Sequence, residues 1–384
     1  MKQTQLSYGL LILIVSLFLL NSCKEKPSFV SDDEILRTYL NLPSEVANYA
    51  SPWLPSFFNN QFVTIQNNTP AANPTTNWGA SLGRVLFYDK QLSKNNTISC
   101  ASCHQQAHGF TDTARLSIGF MGGATHRHSM ALANAVYYTN GRFFWDERAA
   151  TLEKQVLQPI QDSVEMGMAM SEVIQRLNAT EYYPILFNYA FDSQEISDER
   201  VAKALAQFVR SMVSYDSKYD QGRAVVTDRT IDFPNFNKQE NAGKRIFMSH
   251  PKVNCSGCHI TDALIGDNAR NNGLSKFNSD QGNYIHTQNE LDLGKFKPPS
   301  LKNIAVRGRF MHDGSMTSLD QVIEHYNNGI QSNPNLDPHL INNASKTPVK
   351  MGLTALEKTQ LKVFLETLTD HTLITDEKFS DPFK

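Results

Sequence analysis

The sequence predicts a mainly α-helical protein of two units, with long loops and little sheet. Three observations predict it. Apolar residues recur at spacings of three and four in several stretches, and strand signals are sparse. The order helix, C-x-x-C-H, long loops, helix also occurs twice, without an obvious sequence repeat. The length of 384 residues suits roughly two domains. Charge is nearly balanced, with 36 Lys and Arg against 38 Asp and Glu and no polybasic run, so nucleic acid is not an expected partner.

The first element is a targeting segment. Lys2 precedes the apolar run at 10–20, which is short for a membrane span and suits a secretory signal. The run stops at "LNSC", which resembles a bacterial lipoprotein signal. Residues 1–22 then form the signal peptide, and Cys23 carries a lipid that anchors the chain in the cell envelope on the periplasmic side; a plain signal peptide, or an anchor helix, is the alternative. Residues 23–77 form an extension and linker, with a short helical pattern at Ile35, Leu36, Tyr39 and Leu40 and a polar, turn-rich stretch at 59–77 that reads as a linker or a wrapped loop. A first unit spans 78–220. Its clearest helix carries Val201, Ala204, Leu205, Phe208, Val209 and Met212 on one face. A second unit spans 221–384. Asn237 and Glu240 suit a capping box at its first helix, and Thr354 and Glu357 open its last, which bears Leu361, Phe364, Leu365 and Leu368.

The chemistry lies in the cysteines. Apart from Cys23 there are four, in two identical patterns: Cys100, Cys103, His104 and Cys255, Cys258, His259. A zinc site would use pairs close in sequence and gives no reason for a histidine after each. A thioredoxin-like redox pair needs no adjoining histidine. Covalent haem attachment accounts for every position. Each thiol adds to one vinyl group, and the following imidazole ligates iron. Two haems c are therefore expected, which also requires an exported chain. The fold class sharpens to two cytochrome c-like haem domains.

The motifs "CASCH", "LANAVY", "FFWDERAATLEKQVLQPIQDSVEMG", "CSGCH" and "PPSLKNIAVRGRFMHDGSMTSLDQVIEHY" occur in one order over about residues 76–370. In these the chain resembles the bacterial dihaem cytochrome c peroxidase family, which includes the methylamine dehydrogenase maturase. The resemblance implies a peroxidatic haem held by His104 and an electron-transfer haem held by His259. It places Trp145 between the haems, Glu165 as the distal acid, and Gln155 and Pro159 in the distal pocket. A carboxylate near the iron can move a proton between the two peroxide oxygens.

Two departures matter. Many peroxidases of the family carry a distal histidine where this chain has Phe120, so the first iron is expected to be open unless His126 or His128 substitutes. His108, one turn after His104, is expected on the proximal side. The standard distal methionine of the second haem matches Tyr326, which falls on one helical face with Leu319, Val322 and Ile323; Met311 and Met316 are the alternatives. An oxygen ligand favours oxidised iron. Family members also hold calcium through a side-chain amide and two carbonyls. Here those positions are His128, Arg307 and Arg309, and His128 is not a calcium ligand type, which counts against the ion. The resemblance implies an oxidoreductase that reduces hydrogen peroxide with electrons from a small cytochrome c. A maturase-like enzyme oxidising a protein or small molecule, and a non-catalytic electron carrier, are the alternatives. Family members are often dimers, so a homodimer is a further expectation.

Overall fold

A computed structural model describes residues 30–252 and 254–384. The expected signal peptide and Cys23 lie outside the described residues. Among those described there is no strand, only isolated bridges such as Phe143 to Ala149 and Phe310 to Met316. The chain is helix-rich, as its periodicity predicts.

Helix α1 (Asp32–Tyr39) starts at Ser31, whose hydroxyl accepts from Glu34 N at 3.3 Å, and buries Leu36. The polar stretch at 59–77 is not a free linker. Asn73 is buried there, giving Nδ2 to Glu153 Oε1 at 2.8 Å and taking Gln207 Nε2 at 2.8 Å. Buried amides with partners on two helices tie the segment down.

Two helix pairs organise the cores. In the first, α2 (Asn77–Tyr88) packs on α4 (Asp198–Ser211), with α3 (Leu152–Val156) beside it. Ser197 caps α4, Asp198 and Glu199 sit in its first turn and Arg210 in its last, each suited to the helix dipole. Val201, Ala204, Leu205, Phe208 and Val209 are buried, which is the predicted face. In the second pair, α5 (Lys238–Ser249) packs on α7 (Ala355–Glu366), and both carry the expected capping boxes, Asn237 with Glu240 and Thr354 with Glu357. Helix α7 is not the last: a short helix follows at His371–Thr375. Leu373 and Phe379 then pack in the first core, and Arg84 Nε donates to Ser380 O at 2.7 Å. The division at 220/221 did not anticipate that return.

Both pairs cross at a glycine. A Cβ on Gly83 would lie 2.0 Å from the Ala204 carbonyl oxygen, and one on Gly243 would lie 1.9 Å from that of Gln360. Backbone cannot yield as a side-chain tip can. Gly83→Ala is expected to lower unfolding free energy by about 1–3 kcal/mol, read from urea unfolding of the intact protein; an unchanged midpoint would mean that the helices separate freely.

Between the two helices of each pair the chain turns in the same way. Asn134 and Asn303 are buried with φ of 63° and 62°. Their N–H groups donate at 2.9 Å to Met212 O and Leu368 O, and their side-chain oxygens accept from Ser214 N at 2.8 Å and Asp370 N at 2.7 Å. Phe144 and Met311 repeat the left-handed turn at φ of 68° and 70°, and helices capped by Thr151 and Ser318 follow. The second of these, α6 (Leu319–Glu324), is capped by Ser318, and the N–H of Thr317 goes to Gln321 Oε1. The two units are thus structural repeats. The sequence carries this as "GRFFWD" against "GRFMHD", a signal passed over because only C-x-x-C-H is identical at length.

Candidate functional site

Each C-x-x-C-H borders its own cavity. The first cavity, of ≈ 700 Å³, brings together Cys100, Cys103, His104, Gln155, Pro159 and Glu165. The second, narrower at ≈ 210 Å³, brings together Cys255, Cys258, His259, Met311 and Tyr326. The four thiols are free and divided between the cavities, so they form neither a disulfide nor one zinc site. Burial pushes the Cys100 and Cys255 thiols up to about 12 and those of Cys103 and Cys258 up to about 11. A redox pair needs a stabilised thiolate, and here burial works against one.

Both pairs sit on tight turns. Cys100–Cys103 form one helical turn, Ser102 Oγ accepts from Ser99 N at 3.0 Å, and His104 N donates to Cys100 O at 2.9 Å. The second motif makes the same closure, His259 N to Cys255 O at 3.0 Å. Phe110 takes φ of 59° and brings its carbonyl within 3.1 Å of His104 Nδ1. That fixes the tautomer with a proton on Nδ1 and leaves Nε2 free as a ligand. Leu264, at φ of 49°, repeats the arrangement: its carbonyl and that of Pro299 face His259, although Nδ1 itself closes no hydrogen bond. Burial, and after it the charges of Arg270 and Arg307, hold His259 down to about 4, the neutral form that binds metals. Two buried thiols and one neutral imidazole on the wall of each largely apolar cavity fit a haem of the c type.

Glu165 is the outstanding acid. Burial, then the charge of Asp162, pushes its carboxyl up to about 7 against the pull of Arg148. Phe120 lies beside its loop, not in the cavity. Phe120 N donates to Glu165 O at 3.0 Å, and its ring covers Gly167, where a Cβ would come within 2.4 Å of it. Of the alternative ligands, His126 borders the first cavity and is exposed, whereas His128 is buried and borders both. His108 borders neither; its Nδ1 lies 3.0 Å from Val306 O, a contact between the units.

Trp145 borders both cavities, in the wall between them. Its Nε1 donates to His128 O at 2.7 Å. His128 N donates to His312 O at 2.9 Å, and Lys297 N donates to Trp145 O at 2.8 Å. These two bonds are equivalent under the repeat, which pairs Trp145 with His312 and His128 with Lys297. The rings of Trp145 and His312 are 6.4 Å apart, and His312 stacks on Phe296 at 3.6 Å. Sequence reasoning missed His312 and Lys297; the "GRFFWD" and "GRFMHD" match would have found the first.

Tyr326 sits in a single π-turn, His325–Gly329, that continues α6. Such turns often mark functional sites because they re-aim side chains. His325 points elsewhere, with Nε2 3.1 Å from Asn272 O. Asn272 also faces the Tyr326 hydroxyl and donates to Met311 Sδ at 3.4 Å. Met316 does not border the cavity. Among the described residues the one cluster with metal-ligand geometry is Cys258, Asp337 and His339, which is not the expected calcium set. Asp337 there is already tied to Arg270 and His339.

Residues 78–225 match a family described as di-haem cytochrome c peroxidase. The chain is similar to the methylamine utilization protein MauG of Methylophilus methylotrophus, with 31% identity over 78% of this chain and 84% of that protein. It is also similar to the cytochrome c551 peroxidase of Nitrosomonas europaea, with 32% identity over 64% of this chain and 71% of that protein. Among solved structures it is similar to a MauG-like protein associated with microbial copper homeostasis, at 35% identity and a TM-score of 0.70, covering 82% of this chain and 96% of that one.

Proposed function

From the premise that the chain belongs to the di-haem cytochrome c peroxidase family, we propose that this oxidoreductase reduces hydrogen peroxide to water with electrons from a small redox protein such as a cytochrome c. The observation that carries the reading is the joint placement of Glu165 and His104 on one cavity, with the Glu165 carboxyl poised at about 7. A general base works best near the operating pH. In this reading Cys100 and Cys103 hold one haem c and Cys255 and Cys258 a second, forming two haem domains on either side of residue 220. His104 would hold the first iron, and His259 with Tyr326 the second. The cofactors supply the redox chemistry. Glu165 takes and returns the proton, Gln155 holds the peroxide by hydrogen bonds, and Pro159 shapes the pocket. Trp145, in the shared wall, shortens the electron's path between the sites.

Assembly of haem c requires export, which supports a periplasmic location; the anchor through Cys23 is proposed from the "LNSC" stretch alone. Calcium is disfavoured, since His128 stands where the family has its amide ligand and is not a calcium ligand type.

The test is peroxide consumption coupled to oxidation of reduced cytochrome c. Stoichiometric oxidation supports the reading; no consumption by dihaem protein sinks it. A second reading, oxidation of a protein or small-molecule substrate, is favoured by Tyr326 and by Phe120, which leaves the first cavity without an internal ligand at that position. Expected for it is peroxide-driven oxidation without cytochrome. The electron-carrier alternative predicts two six-coordinate low-spin irons in resting electron paramagnetic resonance spectra. The reading proposed here predicts one high-spin signal that changes on adding peroxide.

A further inference from the structure

The second cavity has a charge pattern that the proposed reaction does not use. Arg270, Arg307 and Arg309 border it, together with Lys297 in the wall shared with the first cavity, and Asp337 is the one acid among its described lining residues. Asp337 is already engaged, with Oδ2 2.8 Å from Arg270 Nη1 and Oδ1 2.8 Å from His339 Nδ1. Arg270 holds Asp267 as well, at 2.6 Å.

The other three cations have no carboxylate within ion-pair distance among the described residues. Arg307 is 8% exposed. Its Nη2 donates to Ser300 O at 2.8 Å and to Lys302 O, and its Nε has no partner. Lys297 is 3% exposed; its Nζ reaches Arg142 O at 3.3 Å and lies over the rings of Tyr138 and Phe143 at 3.9 Å and 4.1 Å. Burial alone pushes Arg307 down to about 9, the sign of a cation lacking its counter-charge, whereas the charge of Glu147 partly offsets burial at Lys297. The first cavity differs. Its Arg127 is clamped by Asp146 and Asp280, its Arg148 pairs with Asp146, and Asp162 and Glu165 add further acid.

A buried guanidinium without an anion is costly. Its planar fork is matched best by a carboxylate. We infer that Arg307, with Arg309 two residues further on, receives the carboxylate side groups of the cofactor in the second cavity and holds that cofactor's reduction potential up. The inference rests on the dihaem reading, in which that cofactor is a haem bearing two propionates. It also explains an asymmetry between the repeats: the arginines at the first cavity are paired with carboxylates, whereas Arg307 and Arg309 at the second are not.

Arg307→Gln in the dihaem protein tests it. Spectroelectrochemistry should show the potential of the second site shifted down and that of the first unchanged. The propionate bending band in resonance Raman spectra should move, and Arg307→Lys should restore most of both. Arg309→Gln, at a half-buried position, should shift the same readouts by less and serves if Arg307→Gln does not fold. Unchanged potential and band in the folded variants overturn the inference. Mature wild-type protein whose mass lacks a second haem overturns the dihaem reading instead, and the inference with it.

Discussion

Glu165→Gln is expected to reduce peroxide turnover by about 10²–10⁴-fold, the range for losing a positioned acid–base group, with both haems still attached. The side chains are nearly isosteric, so the change removes the proton acceptor and little else. The pH profile gives a second check. The carboxylate is the active form, and its pKa is raised to about 7 by burial and by Asp162. Turnover should therefore rise about tenfold per pH unit below 7 and level off above it. The stability effect has the opposite sign. A carboxyl raised from its ordinary value near ~4.3 favours the folded state most at low pH, and that contribution is lost as pH rises through about 7. Glu165→Gln should accordingly gain stability relative to the wild type as pH rises from about 4 to about 7, with no further change above. Wild-type turnover in the variant, or a flat acid limb in the parent, would remove Glu165 from the chemistry.

Why Glu165 was legible only through a family motif is a physical matter. In the sequence it is one carboxylate in a loop. What distinguishes it is desolvation, and that comes from the Phe120 loop laid across Gly167 and from the cavity wall, contacts distant in sequence. The amphipathic helices were readable because their information is local: Val201 to Val209 recur at helical spacing, and Asn237 with Glu240 and Thr354 with Glu357 close their boxes within four residues. The return of Leu373 and Phe379 to the first core was not readable, because nothing local marks which core a short apolar segment joins. The wall between the cavities falls between these cases. Trp145 was found by motif, whereas Lys297 and His312 emerge once the repeat is superposed, since a lone lysine before two prolines reads as a surface charge. Its burial against Tyr138 and Phe143 is a property of the folded interface between units.

Tyr326→Met is expected to raise the potential of the second site by on the order of 0.1 V or more, within the ~0.8 V that axial ligands span. Oxygen donors stabilise ferric iron and thioethers ferrous iron. The π-turn at His325–Gly329 aims residue 326 at the cavity whatever its side chain, because Leu319 and Ile323 keep the preceding turn buried. Methionine there should thus reach the position that tyrosine holds. The variant should display a thioether-to-ferric charge-transfer band that the wild type lacks, and should accept electrons faster from small cytochromes. Tyr326→Phe discriminates further. Asn272 faces both the Tyr326 hydroxyl and Met311 Sδ, so loss of the hydroxyl leaves Met311 the nearest replacement in the cavity. The band should then appear in Tyr326→Phe and vanish in the double variant with Met311→Leu. A wild-type protein that already shows the band would instead assign the ligand to Met311, leaving Tyr326 as buried packing beside it.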